Sequence, residues 1–501
     1  MLAGAMAVAV SWGTPIEAQG VQSPARVEGT VADTIALGLA DALRRALRDG
    51  EEVKLAADVA ADAREQVAAA RSGLFPTVNG RVGYTRTIRT PINVGTGFTL
   101  PDSLQFRPDS LAPLPERVRY LERNTPNAGL GALSSLFSGL PFGQKNTYVA
   151  TLSASQTLFD ANVFTGLAIA KEFERMVDAQ VTEQRLDVAL SVIEAYYDAV
   201  LADRQADIVV STMAQLQEQT QQVRLVRAAG NASDLDVLRV EVDLQNVEPQ
   251  RVAALNQRDV ALLNLKRLIN LPIAQPIRLT DRLSAADFRA IPAETVAQVV
   301  DHALERRAAV TASERQVTLR RQQVTVARNA FLPTVSLSAN FGKQALPGQL
   351  VPSYHDFRDD WNAGLAVNIP IFSGGQRRAD VERARVQLNT SELQLAQLRE
   401  SVVLDVTQQR GELERASALI RARAQTVSQA ERVYSLTNLA YEKGVQTNLQ
   451  LGDARLQLQQ ARANEAIALH DYYIALARLL RASGASESDL QSRATSGGTG
   501  R

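Results

Sequence analysis

The sequence predicts an α+β membrane protein with a twofold internal repeat, each copy carrying two transmembrane β-strands and one long α-helical hairpin. Three observations predict it. A nine-residue segment occurs twice, four segments alternate polar and apolar residues between aromatic brackets, and two proline-free helical stretches each run close to 70 residues.

The repeat comes first. Ala70-Arg71-Ser72-Gly73-Leu74-Phe75-Pro76-Thr77-Val78 recurs as Ala327-Arg328-Asn329-Ala330-Phe331-Leu332-Pro333-Thr334-Val335, 257 positions later. Leu158-Phe159-Asp160 matches Ile371-Phe372-Ser373 at 213, and Gly230 and Leu235 match Gly444 and Leu449 at 214. The fall from 257 to 213 gives the first copy 44 extra residues, all within the stretch after its first strand. Insertions tolerated at one place in a repeat mark an exposed loop, here residues 90–146.

Alternation identifies the strands. Val78, Gly80, Val82 and Tyr84 oppose Asn79, Arg81, Gly83 and Thr85; Tyr148, Ala150, Leu152 and Ala154 oppose Thr151, Ser153, Ser155 and Thr157. In the second copy Val335, Leu337, Ala339 and Phe341 oppose Ser336, Ser338 and Asn340, and Trp361, Ala363, Leu365, Val367 and Ile369 oppose Asn362, Gly364 and Asn368. The predicted strands span about 77–89, 147–158, 334–341 and 361–371, near the 9–11 residues of a tilted membrane strand. Tyr84, Tyr148, Phe341 and Trp361 bracket the loop end, and Phe75, Phe159, Phe331 and Phe372 the other. Matched girdles separate a membrane barrel from a soluble sandwich, which alternates equally well. Four strands cannot close a barrel, and open edges in lipid leave backbone groups unpaired, so the barrel must be shared between copies.

The period then changes. Leu186, Leu190, Ile193, Tyr197 and Val200 step by four and three, and Leu413, Ile420, Val427 and Tyr434 by seven. Hairpins are expected at 161–271 and 374–481, each rising about 105 Å at ~1.5 Å per residue before turning at Gly230 or Gly444. Helices at 51–73 and 293–330 precede the first strand of each copy and are placed to stack end to end on the shorter return helices. The first repeat is assigned to 30–271 and the second to 293–482. Residues 272–292, with Pro272, Pro276 and Pro292, link them, and the Ser/Gly/Thr-rich 483–501 is expected to be a disordered tail. The apolar run Leu2–Val10 before Ile16-Glu17-Ala18 reads as a signal peptide over 1–18.

Composition narrows the function. Lys+Arg and Asp+Glu balance at 54 each, which gives no reason to expect nucleic acid. Cysteine is absent and the three histidines lack ligand spacing, so no metal is expected. Neither a phosphate loop nor a catalytic constellation is present, so no cofactor and no enzyme activity are expected. Heptad helices alone would also allow a coiled-coil scaffold of the cell envelope; the girdled strands discriminate against it.

In this order and duplicated, these features resemble the TolC-type outer-membrane efflux family over about Thr34–Arg481. Its most specific pieces are Phe331-Leu332-Pro333-Thr334-Val335, the strand-to-helix turn Ile369-Pro370-Ile371-Phe372-Ser373-Gly374-Gly375-Gln376-Arg377, and the tip Tyr441-Glu442-Lys443-Gly444. The resemblance implies a homotrimer whose twelve-stranded barrel sits in outer-membrane lipid over a helical periplasmic tunnel. It implies an equatorial belt built from 271–292 and the C-terminal region. It also implies a passive exit duct of a tripartite efflux or type I secretion system, opened by a periplasmic adaptor and an inner-membrane transporter. Carried over by motif, Asp236 holds the acidic position of the first tip, Tyr441 its hydrogen-bonding partner, and Asp453 one ring-carboxylate position. The sequence departs from the pattern at Gln450, in place of the other ring carboxylate, and at Gln446, in place of a salt-bridging arginine. An acid at a helix start is also what the helix dipole favours, and Tyr441 also fits a packed seam.

Overall fold

The computed structural model describes residues 34–88, 106–138, 146–230, 232–283, 294–347 and 349–495. The expected signal peptide, most of the linker beyond 283 and parts of the outer loop lie outside them.

The chain runs β1 (Ile35–Leu37), α1 (Leu39–Asp49), α2 (Glu51–Ser72), β2 (Thr77–Arg86), α3 (Leu114–Ser138), β3 (Asn146–Phe159), α4 (Ala161–Ala228), α5 (Asp234–Leu268) and β4 (Ile277–Leu279). It continues through α6 (Val296–Arg306), α7 (Ala308–Asn329), β5 (Thr334–Ala345), β6 (Phe357–Asn368), α8 (Gln376–Glu442), α9 (Asn448–Ala482) and α10 (Glu487–Thr495). The duplication sets the boundaries: α1 and α2 recur as α6 and α7 at an offset of 257, and α5 recurs as α9 at 214. The helices before the strands are therefore each two pieces, and the single helix expected over 293–330 breaks at Arg307. Arg307, like Gly50 at the equivalent place, is extended (ψ 123° and 136°), which ends one helix and starts the next.

The four long strands form one antiparallel sheet ordered β2-β3-β5-β6. Its register decides the chemistry of its faces. Val82 pairs with Ala150, Leu152 with Phe341 and Phe341 with Trp361, whereas Ser153 pairs with Asn79 and Asn340, and Asn340 with Asn362. Directly paired residues share a face, so the apolar rows of all four strands fall on one side and the polar rows on the other. Tyr84 packs on Tyr148 with centroids 4.7 Å apart, and Phe341 meets Trp361 edge-on at 4.8 Å, at the loop end of the apolar face. Among the described residues the outer edges of β2 and β6 have no partner strand in the sheet.

α4 and α8, of 68 and 67 residues, rise about 100 Å at ~1.5 Å per residue. Each folds back along its return helix, α5 or α9, and α4 also packs on α2, α7 and α9. The largest core lies partway along this bundle, where α1, α10 and β1 wrap α4 and α9; it contains Leu37, Leu43, Ile193, Tyr196, Leu265, Leu413, Leu480 and Leu490. No helix among the described residues is long and apolar enough to cross a membrane, and strands are the elements whose faces are sorted for one.

The expectation for the tail is corrected, and the linker and the outer loop each hold an element not expected from the sequence. The tail is not disordered throughout: 487–495 form α10, Leu490 is fully buried, and Glu487 accepts two hydrogen bonds from Arg185 at 2.5 and 2.9 Å. A Ser/Gly-rich composition hid one leucine at a position that closes the core. The linker contains β4, which pairs in parallel with β1, and Asp281, which caps α1 by accepting from the Leu39 N–H at 2.9 Å. The outer loop contains α3, started by Pro115 and Glu116 in its first turn, where a missing N–H costs nothing and an acid suits the dipole.

The first strand of the first copy ends at Arg86 rather than 89, and the first strand of the second copy runs on to Ala345 rather than 341; the last strand runs 357–368 rather than 361–371, its end set by Pro370, which cannot continue a ladder.

Candidate functional site: the helix tips and the strand-to-helix turns

The two ends of the hairpins hold the candidate residues. At the upper end each strand must turn into a long helix, and the copies do this differently. After Phe159, Asp160 caps α4 by accepting from the Asn162 N–H at 2.8 Å. After Phe372, Gly374 and Gly375 both adopt positive φ (60° and 89°), a pair of conformations that only glycine takes without strain. Arg377 then ties the turn down, donating to Ser373 Oγ at 3.0 Å and to the Pro370 carbonyl at 2.8 Å, with its guanidinium 5.3 Å from the Phe331 ring centroid. Phe159 and Phe372 remain exposed on the rim below the sheet.

At the lower end Gly230 and Gly444 close the helices with φ of 80° and 73°. Each return helix opens with the same device, a capping box. In the first tip Ser233 and Asp236 cap one another: Asp236 Oδ2 accepts from the Ser233 N–H at 3.2 Å and its hydroxyl at 2.6 Å. In the second tip Gln450 Oε1 accepts from the Thr447 N–H at 2.9 Å and its hydroxyl at 3.0 Å. Asp236 and Gln450 are thus the same position of the repeat, one charged and one neutral. The Ser233 hydrogen bonds hold the Asp236 carboxyl below its usual range.

Tyr441 and Asp236 are brought together, but no hydrogen bond joins them in the chain. The cap occupies the carboxylate, and Tyr441 instead packs half-buried on an apolar cluster of Leu216, Val223, Val237, Val240 and Val247. Its hydroxyl is held above its ordinary value by burial and, second, by the Asp236 charge. Gln446 is half-buried in the turn, with its N–H donating to the Ala440 carbonyl at 3.3 Å. Asp453 lies elsewhere, in a groove between α5 and α9 walled by Leu235, Leu238, Leu449 and Leu456 and shared with Arg239. Across the first turn Arg227 pairs with Asp234 at 2.5 Å.

One group was not legible as a site in the sequence. Arg455 of α9 is buried and donates to Gln219 Oε1 of α4 at 2.5 Å and to Asp243 Oδ2 of α5 at 3.3 Å. Gln219 in turn donates to Asn448 Oδ1 at 2.5 Å. Burial pulls the Arg455 guanidinium below its ordinary value, against the opposing pull of Asp243. The signal lay in the repeat: the equivalent position of the first copy is Glu241, so the charge is inverted between copies.

A sheet with one apolar and one polar face, joined to hairpins of this length with capped tips, defines a class of protein: a strand-built membrane channel with a long helical extension. The chain belongs to the outer membrane efflux protein family, which matches residues 125–271 and 299–485. It is 27% identical over 336 residues to the alkaline protease secretion protein AprF of Pseudomonas aeruginosa, covering 67% of this chain and 69% of that protein. It is 23% identical over 363 residues to the outer membrane protein TolC of Escherichia coli K12, covering 70% and 72%. Its fold matches the open-state MtrE outer membrane channel of Neisseria gonorrhoeae with a TM-score of 0.67 at 19% identity, over 89% of each chain. The OprN channel matches with a TM-score of 0.65 at 17% identity, over 90% of each. The protein is an outer-membrane exit duct of the efflux and secretion type, with its helices forming the extension below the membrane; its family is one of channels rather than enzymes.

Proposed function

We propose that three copies share one twelve-stranded barrel in the outer membrane and one helical tunnel beneath it, forming a passive conduit for cargo delivered by an inner-membrane transporter through an adaptor. The observation that carries this reading is the four-stranded sheet with its polar face, its apolar girdled face and its two free edges. Unpaired edges in lipid leave N–H and C=O groups without partners, and pairing β6 of one copy with β2 of the next removes both edges at once. The apolar rows then face lipid and the Ser, Thr and Asn rows face the lumen. A coiled-coil scaffold gives no reason for such a sheet. The repeats, with boundaries at 30–271 and 293–482, build this pipe twice per copy, and 1–18 direct export.

The gate lies at the tips. Asp453, repeated around the threefold axis, supplies a ring of carboxylates that concentrates cations at the mouth. Asp236 and Tyr441 join the first and second tips through the packing of Tyr441 beside the capped carboxylate rather than through a hydrogen bond, with Gln446 and Gln450 as neutral members of the second turn. Neutral amides lack a charge-assisted bond, so this part of the closure is weaker than a salt-bridged one. The AprF relative is named for protease secretion and the TtgC relative of Pseudomonas putida for toluene efflux; we assign the choice of cargo to the transporter.

The test is purification from the outer-membrane fraction in detergent, with light scattering for mass and planar bilayers for conductance. A particle of three chains, each of 54.3 kDa less its 1–18 signal segment, that conducts ions is expected; a soluble monomer that melts without detergent refutes the barrel. Tyr441→Phe combined with Asp236→Ala should raise leak conductance, and an unchanged leak removes this pair from the gate.

A further inference from the structure

The two copies of the repeat use one helix position for opposite purposes. In the first copy Glu241 of α5 accepts from Arg224 of α4, at 3.1 Å from Nε and 2.7 Å from Nη2, and so closes its own hairpin on an exposed face. In the second copy the same position is Arg455 of α9, whose hydrogen bonds go to the other hairpin although it also feels Tyr434 of its own. It reaches Gln219 on α4 and Asp243 on α5, the two helices of the other hairpin, while Asn448 at the start of α9 takes the second Gln219 contact. Arg455, Gln219 and Asn448 are all buried, and Asp243 stands at the rim of the groove.

A guanidinium in this setting is a two-state element. With all its partners in place the buried charge is satisfied; with one hairpin displaced it is left buried and unpaired, which is strongly unfavourable, until it too reaches water. Sliding by a fraction of an ångström gains nothing, so the contact favours either a fully docked second hairpin or one fully released. The neighbouring apolar contact of Tyr441 on Leu216, Val223 and Val237 lacks this sharpness, because apolar packing weakens gradually with separation. The charge-assisted hydrogen bonds also restrict geometry, since the planar fork must meet an amide on one helix and a carboxylate on the next.

We propose that Arg455 is the latch that holds the second hairpin against the first within each copy, and that opening the mouth of the duct requires this latch to release. The proposal rests on the conduit reading above and assigns the closing energy to a tie inside each copy. Because the latch crosses between hairpins, force applied by a partner to α8 and α9 alone is resisted there first. Arg455 positions the hairpins and need not touch cargo.

The chain's lack of cysteine permits a clean experiment. Single-channel conductance of the purified oligomer is measured for the wild type, Arg455→Met, which keeps an unbranched stem and removes the charge, and Asp243→Asn, a milder change at the rim. We expect open probability to rise about tenfold for Arg455→Met and by less for Asp243→Asn, the former corresponding to a population shift of about 1.4 kcal/mol. In an Arg455→Met, Gln219→Cys, Asn448→Cys background, a short thiol cross-linker should return the conductance to the wild-type level. Its reversal by reductant separates a latch from a general loosening of the fold. Circular dichroism and the oligomer's elution volume accompany each variant; if Arg455→Met fails to assemble, the cross-linked pair in an otherwise wild-type chain should suppress adaptor-driven export. A conducting wild type with unchanged Arg455→Met and Asp243→Asn conductance, or export unaffected by the cross-link, overturns the latch. No conductance from the wild-type oligomer overturns the conduit reading instead.

Discussion

Leu490→Ala should detach the C-terminal helix from the bundle. Leu490 is fully buried in the largest core, where α10 touches α1, α4 and α9. Removing a leucine side chain from such a site costs about 3–5 kcal/mol, through lost transfer energy and the cavity left behind. A polar fastening of α10, the Arg185–Glu487 pair, has side chains about one third exposed (34% and 28%). Solvent screening limits such a pair to about 1 kcal/mol or less. The leucine therefore dominates, and its loss should increase the population in which α10 is open by about 100-fold or more, since 1.4 kcal/mol is a factor of ten. Trypsin reads this directly at Arg493, within α10, because cleavage of a transiently opened segment follows its open population. The oligomer should remain intact by size exclusion while cleavage at Arg493 accelerates. Glu487→Gln should accelerate it only slightly. Wild-type cleavage rates in Leu490→Ala, or cleavage faster in Glu487→Gln than in Leu490→Ala, would refute the assignment of α10 as a core-locked element.

Further expectations follow from other parts of the molecule. His470 of α9 places Nε2 2.8 Å from Asp198 of α4 and Nδ1 3.2 Å from Asp471, and only the imidazolium can donate to both carboxylates. Burial pulls its pKa down, but the two carboxylates outweigh this and leave it above the ordinary value. The stabilisation is thus fully present below the unfolded pKa of about 6.5 and is lost as pH rises through the folded value. Arg415 of α8 also faces Asp471. Melting in detergent should therefore fall as pH rises above about 6.5 in the wild type and fall less in His470→Gln; equal slopes contradict the ion pair. Leu365→Arg, on the apolar face of β6, should cost about 2–4 kcal/mol and reduce the membrane-inserted oligomer seen by heat-modifiability on gels. Ser338→Arg on the polar face should insert normally. Gly444→Ala meets no neighbouring atom but forces φ 73° on an L residue; a cost of about 1 kcal/mol should appear as faster hydrogen exchange in the second tip, with no change in the first.

The architecture was legible because it is periodic. A period of two with aromatic brackets, a period near 3.6 without proline, and offsets of 257 and 214 are one-dimensional signals, and they identified the elements of the hairpins and the sheet. Gly230, Gly444, Gly374 and Gly375 were readable for the same reason, since a positive φ is a local demand that the sequence answers locally. The sheet faces were half-legible: alternation gives two faces per strand, but only the pairing of Ser153 with Asn340, and of Asn340 with Asn362, joins the polar rows into one surface. What the tertiary structure alone decided are contacts between residues far apart in sequence. Leu490 sits in a Ser/Gly-rich tail and closes a core that contains Leu43 and Ile193 of the first repeat, and Asp281 in a proline-rich linker caps α1 at a separation of 242 residues. Asp236 carries the sequence signature of a gate acid, yet its carboxylate is spent on Ser233. Arg455 reads as an ordinary helix arginine, yet it binds helices 212 and 236 residues away in the chain. Burial and partner choice for a single polar side chain depend on which helix faces it, and no periodicity along one helix encodes the identity of its neighbour.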